Sequence, residues 1–452
     1  MIALNDIKKI YFVGIGGIGM SALARYFNFN GVDVHGYDRT ATALTKRLEE
    51  EGMAIHYEEN VDLIPEGIDL VVYTPAVPKT HAELEHFWAN DFPVKKRAEV
   101  LGIISRSKKT AAIAGTHGKT TTTSMLAHLV RSGGIDATAF LGGIAKNLDS
   151  NFAWGASDWV VVEADEYDRS FLHLHPDTAV VLSMDEDHLD IYGDKDGLEN
   201  TGYKAFVKQI KPGGKMWVQA DWHVEMKDIE NVGSYGVEKG AIQAQNIVVK
   251  EGHFQFDYVN GDLKIEGLQL RMPGRHNVEN ATAAITLALE MGVEANRIPE
   301  GIKTFKGIKR RFDIAYQEGG QAYVDDYAHH PTELKAAIRA AKSFYPMKKI
   351  TGIFQPHLFS RTRDFLDGFA EALDLLDETI LLDIYPAREQ PIPGITSRSI
   401  LIRMRRGNKC ILTKAEALQR IYDKPFEVLM TLGAGDIDRM VEPITEFLNS
   451  KR

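Results

Sequence analysis

One cysteine in 452 residues, Cys410, leaves no partner for an internal disulfide and no multi-cysteine metal site, which fits a reducing, cytoplasmic compartment. Positive charge is also scarce. Against 63 Asp and Glu stand 53 Lys and Arg, and the net charge of -10 excludes a general nucleic-acid binder, which needs cationic surface to displace counterions. Any anionic ligand must therefore be held by local features. No segment approaches the ~18 consecutive apolar residues of a membrane span, and there is no low-complexity tract. The apolar opening "YFVGIGGIGMSALA" after Lys8 and Lys9 imitates a secretion signal, but its four glycines and the strand-like "VDVHGYD" that follows mark a folded element, with no membrane insertion.

What is present is the profile of a globular enzyme, with 44% hydrophobic and 26% charged residues over a length that suits about three domains. Strand-like and helix-like segments alternate from residue 8 onward, so the fold class is α/β, with parallel sheets flanked by helices. Changes of texture divide the chain into residues 1-105, 106-313 and 314-452. Period-two alternation around Asn260-Gly261 predicts an antiparallel hairpin inside the central part, which makes its sheet mixed. "GRHNVENATAAITLALEMGV" predicts a helix closed by Gly292.

Two phosphate cradles stand out. Gly14, Gly16 and Gly19 satisfy G-x-G-x-x-G, and Asp38 follows nineteen residues later, a pattern that aims a helix N-terminus at a diphosphate. Taken alone the loop says NAD, although a UDP-sugar or FAD makes the same demand. "AGTHGKTTTT", residues 114 to 123, makes a sharper demand: the amides of Gly115 to Thr121 form a nest, Lys119 reaches the β- and γ-phosphates, and Thr120 ligates Mg2+. Ile113 stands where the full phosphate-loop spacing has its first glycine.

Acidic residues follow at two strand ends. "VVVEADEYD" carries Glu163, Asp165 and Glu166, and "MDEDHLD" carries Asp185, Asp187 and His188; Glu163 and His188 are the expected metal ligands, since hard cations take carboxylate oxygens and one imidazole is tolerated. In the last third, "VDDYAHHPTE" places Asp325, Asp326, His329 and His330 before a helix, and "FQPHLFSRTRDF" adds His357, Arg361 and Arg363, whose guanidinium groups suit the carboxylate of an amino acid.

These motifs, in this order together with "RRFD" and "GAGDI", resemble the Mur ligases over essentially the whole chain. The resemblance implies a Rossmann-like N-terminal domain for a UDP-sugar, a central P-loop ATPase domain and a C-terminal Rossmann-like domain for the incoming amino acid. It further implies joining of L-alanine to UDP-N-acetylmuramate through an acyl phosphate, with ATP and Mg2+, for peptidoglycan precursors, in a monomer or weak homo-oligomer. By carry-over, Gly14, Gly16, Gly17, Gly19, Asp38 and Thr74 hold the UDP-sugar, while Gly115, Thr116, His117, Gly118, Lys119, Thr120 and Thr121 hold ATP. Asn277 and Asn280 resemble adenine contacts, Arg311 an arginine reaching the phosphates, and Asp326 a ribose-side contact. His329, His330, His357, Arg361 and Arg363 fall to the amino-acid side, where His330 or a nearby carboxylate takes the amine's proton. Many relatives have Arg where this chain has Leu358. Some carry a carbamoylated lysine, and Lys204 lies in that region. The alternatives are the tripeptide ligase of wall recycling, an NAD-dependent dehydrogenase and a nucleotide-binding regulator without turnover.

Overall fold

The computed structural model describes residues 4–185, 189–226, 229–250, 253–387 and 389–450. They form two compact units, one of residues 1–247, 256–269 and 279–305, the other of residues 248–255, 270–278 and 306–452.

The first unit contains a five-stranded parallel sheet, in the order β3-β2-β1-β4-β5, from β1 (Lys9–Val13), β2 (Asp33–Tyr37), β3 (Ala54–His56), β4 (Leu70–Tyr73) and β5 (Val94–Lys96). Next comes a ten-stranded mixed sheet of β6 (Lys109–Ala114), β7 (Thr138–Ala145), β8 (Ser150–Ala153), β9 (Trp159–Ala164), β10 (Thr178–Val181), β11 (Lys215–Gln219), β12 (Val232–Val237), β13 (Ile242–Lys250), β14 (His253–Asn260) and β15 (Leu263–Leu270). Its middle is parallel and buried on both faces, so β9 reads as the continuous run Val160, Val161, Val162 rather than as an alternation. The expected hairpin is present: β14 and β15 are neighbours joined across Gly261, whose φ of +56° is the left-handed turn conformation that glycine tolerates. The expected helix spans Arg275–Glu290.

The second unit holds a six-stranded sheet of β16 (Asp313–Glu318), β17 (Gln321–Asp326), β18 (Ile350–Phe354), β19 (Glu378–Leu381), β20 (Lys409–Ile411) and β21 (Val428–Leu432), in the order β16-β17-β21-β18-β19-β20. Three of its parallel strands were expected from strand-loop-helix steps. Its antiparallel edge strand β16 was not, because "DIAYQE" is half-buried over its first four residues, exposed at Gln317 and Glu318, and shows no apolar stripe.

Candidate active site

The first glycine loop follows β1. Gly14 takes φ +88°, and its amide and that of Ile15 both donate to the Tyr37 carbonyl, at 2.8 and 3.0 Å, which bends the chain sharply into the helix Ile18–Phe29. That helix starts at Gly17 with no side-chain cap, leaving its first amides facing outward as an anion seat. Asp38 lies against this loop. Its Oδ2 accepts from the Gly16 amide at 2.8 Å, pinning the loop. Thr74 closes over Gly14, and the Arg97 guanidinium lies so close to Gly19 that a Cβ there would stand 2.9 Å from its nitrogen. Gly17, Gly19, Thr74 and Arg97 line one side of a cavity of about 280 Å3 that is also lined by Gly142 and Glu163 of the ten-stranded sheet and by Asp165 just past the end of β9. Sequence reasoning missed Arg97, which sits in a cluster of three basic residues with nothing to single it out.

The second loop leaves β6 through Gly115 (φ +134°) and enters the helix Lys119–Ser132 through Gly118 (φ +82°). Both glycines are required twice over, by their left-handed backbone and by space: a Cβ on Gly115 would meet the Ser183 amide nitrogen at 2.8 Å, and one on Gly118 would meet Asn280 Oδ1 at 2.6 Å. Asn280 therefore stands against the loop. Ser183 braces the turn, accepting from the His117 amide at 3.0 Å while its hydroxyl meets that of Thr116 at 3.1 Å. Thr116 in turn accepts from the Asp185 amide at 2.9 Å, and His117 pairs with Asp185 at 3.5 Å. Thr120 to Thr123 are all buried in the first turns of the helix, where β-branched residues are poor helix formers. Such a local conflict points to a site.

The Lys119 ammonium donates to both carboxylate oxygens of Glu166, at 2.9 and 2.6 Å, and to the Gly115 carbonyl at 2.7 Å. Burial alone would lower its pKa, but the carboxylates of Glu166, Asp165 and Glu163 more than offset this and hold the ammonium above the ordinary lysine value. Glu163 lies directly across from Ile113 on the paired strands β6 and β9, and its carboxylate is laid over Gly142, where a Cβ would come within 2.2 Å of Oε2. The Thr120 hydroxyl and the Glu163 carboxylate are hard oxygen donors and fit Mg2+. His188 and Asp187 lie outside the described residues. Among the described residues no three His, Cys, Asp or Glu side chains converge as a metal site by themselves. Lys204 bonds Asn200 Oδ1 at 3.0 Å.

In the second unit the expected residues gather at the carboxyl ends of β17 and β18. Asp326 accepts from the amides of Phe312 and Ala328, both at 2.7 Å, and burial raises its pKa to about 6 against the opposing Arg311 charge. Asp325 is likewise raised by burial to about 6, although Thr431 donates to it at 2.6 Å and Arg310 stands 3.6 Å away. The guanidinium groups of Arg310 and Arg311 lie 4.9 and 5.0 Å from the Tyr327 ring centre. His330 is the N-cap of the helix Pro331–Phe344, its Nδ1 accepting from the Thr332 amide at 3.3 Å. His329 lies 3.3 Å from Glu333, and its ring is 5.9 Å from that of His357, which stacks on Tyr385. Leu358 takes φ +71°, a strained conformation for a branched residue, at the start of the helix Phe359–Asp364 that bears Arg361 and Arg363. Arg363 is 53% exposed and pairs with its neighbour Asp364 at 2.7 Å, as a surface charge does. Asn277 donates to the Pro273 carbonyl at 2.7 Å.

A glycine-loop helix sharing a cavity with carboxylates, beside a lysine-bearing phosphate loop, defines an α/β enzyme that handles two phosphorylated ligands. Three family models match in succession: Mur ligase family, catalytic domain over residues 9–109, Mur ligase middle domain over 113–288, and Mur ligase, glutamate ligase domain over 310–435. The chain belongs to the Mur ligase family. It is 45% identical to UDP-N-acetylmuramate--L-alanine ligase of Flavobacterium johnsoniae, over 99% of both chains, and 47% identical to that of Parabacteroides distasonis, over 98% of both. Among solved structures it is similar to UDP-N-acetylmuramate-alanine ligase from Thermotoga maritima, at a TM-score of 0.85 and 30% identity, covering 98% of this chain and 100% of the other.

Proposed function

We propose that the chain is an ATP-dependent carboxylate–amine ligase that joins L-alanine to the lactyl carboxylate of UDP-N-acetylmuramate, releasing ADP and phosphate. The observation that carries this reading is the cavity lined both by the glycine loop, with Arg97, and by Glu163 and Asp165. The names of relatives 45% and 47% identical over nearly the whole chain support the choice of substrates and disfavour the tripeptide alternative.

An amine does not displace oxide from a carboxylate. The γ-phosphoryl group is therefore transferred first to a lactyl carboxylate oxygen, with ADP leaving; the amine nitrogen then attacks the carbonyl carbon, and the tetrahedral intermediate expels phosphate. Gly14, Gly16, Gly17, Gly19, Thr74 and Arg97 seat the UDP-sugar, and Asp38 sets the loop's shape. The amides of Gly115 to Thr121, with Asn280 and Asn277 for the base, seat ATP, and Lys119 stabilises the charge spread over the transferring phosphoryl oxygens. Thr120, Glu163 and, from outside the described residues, His188 would hold Mg2+, which would further neutralise the phosphate oxygens. In the second unit Arg311 and Asp326 serve the nucleotide, and His329, His357 and Arg361 serve the amino acid. The amine's proton passes to His330 or to a nearby carboxylate. The enzyme works in the cytoplasm as a monomer or weak homo-oligomer.

Phosphate release measured with each substrate omitted in turn tests the reading. Turnover requires ATP, UDP-N-acetylmuramate and L-alanine together; activity only with Ala-Glu-diaminopimelate reverses the choice of amine.

A further inference from the structure

Lys119 is fully engaged within the protein. Its three ammonium donors are matched by the two Glu166 oxygens and the Gly115 carbonyl, and the pair is enclosed, with 13% of the lysine side chain and 1% of the glutamate side chain exposed. A phosphate that recruits Lys119 must take a donor from this set and come to rest near a buried carboxylate.

The segment carrying Glu166 is itself held under tension. The Tyr192 hydroxyl donates to the Glu166 carbonyl at 2.7 Å, the Arg169 amide donates to the same carbonyl at 3.0 Å, and Asp168 and Arg169 take consecutive left-handed conformations, φ +52° and +56°. Neither is glycine, so each conformation is costly and persists only where its surroundings impose it. One imposing contact is the ion pair of Asp168 with Lys96 at 2.8 Å, and Lys96 is the residue before Arg97 on the cavity wall.

We infer that Glu166 is a positioning residue that parks Lys119 in the nucleotide-free enzyme and opposes nucleotide loading until the lysine is released, its segment being held in place by the Lys96–Asp168 pair. The inference rests on the proposed ATP site and gives Glu166 a sign: altering a carboxylate that merely shaped the loop would weaken ATP binding, whereas removing the charge of a parking counter-ion strengthens it.

The test is direct binding of a non-hydrolysable ATP analogue with Mg2+ by calorimetry, on full-length protein whose folding is checked by circular dichroism. Glu166→Gln keeps the size and a hydrogen bond to Lys119 but removes the charge, and is expected to tighten analogue binding at least threefold. Unchanged or weaker binding by folded E166Q overturns the inference. Should E166Q not fold, Lys96→Met decides: tighter binding supports the inference and unchanged or weaker binding overturns it. Wild-type protein that binds no analogue overturns the ATP-site reading itself, which separates the two failures.

Discussion

Replacing Gly142 by alanine tests the carboxylate wall with a single methyl group. Gly142 does not take a left-handed φ, so the change brings no strain of the kind that penalises Gly118. The added Cβ, however, would lie 2.2 Å from Glu163 Oε2 and 2.6 Å from Oε1 and Cδ. Carbon and oxygen need more than 3 Å, so the carboxylate must retreat by about 1 Å, which rotation of a glutamate side chain allows at small cost to the fold. A displacement of that size at a reacting centre costs on the order of 10²-fold in rate, or about 2.7 kcal/mol of barrier. G142A is therefore expected to melt within about 2 °C of wild type while kcat for phosphate release drops on the order of 100-fold. Activity within twofold of wild type in folded G142A would refute the placement of Glu163 at the phosphoryl-transfer site.

Lys119→Ala should lose at least about 10³-fold in activity and also destabilise the protein by about 3–5 kcal/mol in urea denaturation at pH 7, because the buried Glu166 carboxylate loses the ammonium from which both its oxygens accept. Adding E166Q should restore most of the stability and none of the activity. In the second unit, Asp325 and Asp326 titrate near pH 6 in the folded chain against about 3.9 when unfolded, so the stability they contribute is full below about pH 4 and is lost as pH rises through 6. Denaturation of wild type and Asp326→Asn at pH 4 and 7 should show the wild type losing more, on the order of 2 kcal/mol, across that interval; parallel behaviour contradicts the raised value. Arg363→Ala should change the alanine KM less than about twofold, as a solvated pair with Asp364 contributes little, whereas Arg361→Ala should raise it at least about tenfold. A large R363A effect would return Arg363 to the amino-acid clamp.

The parts legible in the sequence were those in which the backbone itself dictates residue type. Gly14, Gly115 and Gly118 are glycines because the chain turns through positive φ there, and Gly261 announces its hairpin for the same reason. The helix Arg275–Glu290 was readable from its buried stripe of Ala281, Ala284, Ile285 and Ala288. Identity of contact was less readable. Glu163, Asp165 and Glu166 are three acids within four residues, and nothing local says that the last, beyond the strand's end, takes Lys119 while the first lies over Gly142. That choice is made by the pairing of β9 with β6 and by Tyr192, distant in sequence. Arg97 depends in the same way on a long-range approach to Gly19. Asp38 was legible as part of the glycine motif, yet its hydrogen bond to the Gly16 amide is a property of the folded loop.

The two cradles share one device. In the first, the Asp38 carboxylate takes a loop amide, and in the second the Glu166 carboxylate takes the loop lysine; each anion seat thus holds an anion of the protein's own. Such a stand-in satisfies donors that would otherwise be stranded and keeps the loop in shape. The cost differs, because Asp38 pairs with a neutral amide at a partly exposed position, whereas Glu166 and Lys119 form a buried ion pair whose disruption leaves a charge behind. Ligand entry should accordingly depend weakly on the local carboxylate at the sugar-nucleotide loop and strongly at the ATP loop. The chain therefore places its stronger restraint on the ligand whose phosphoryl group is consumed.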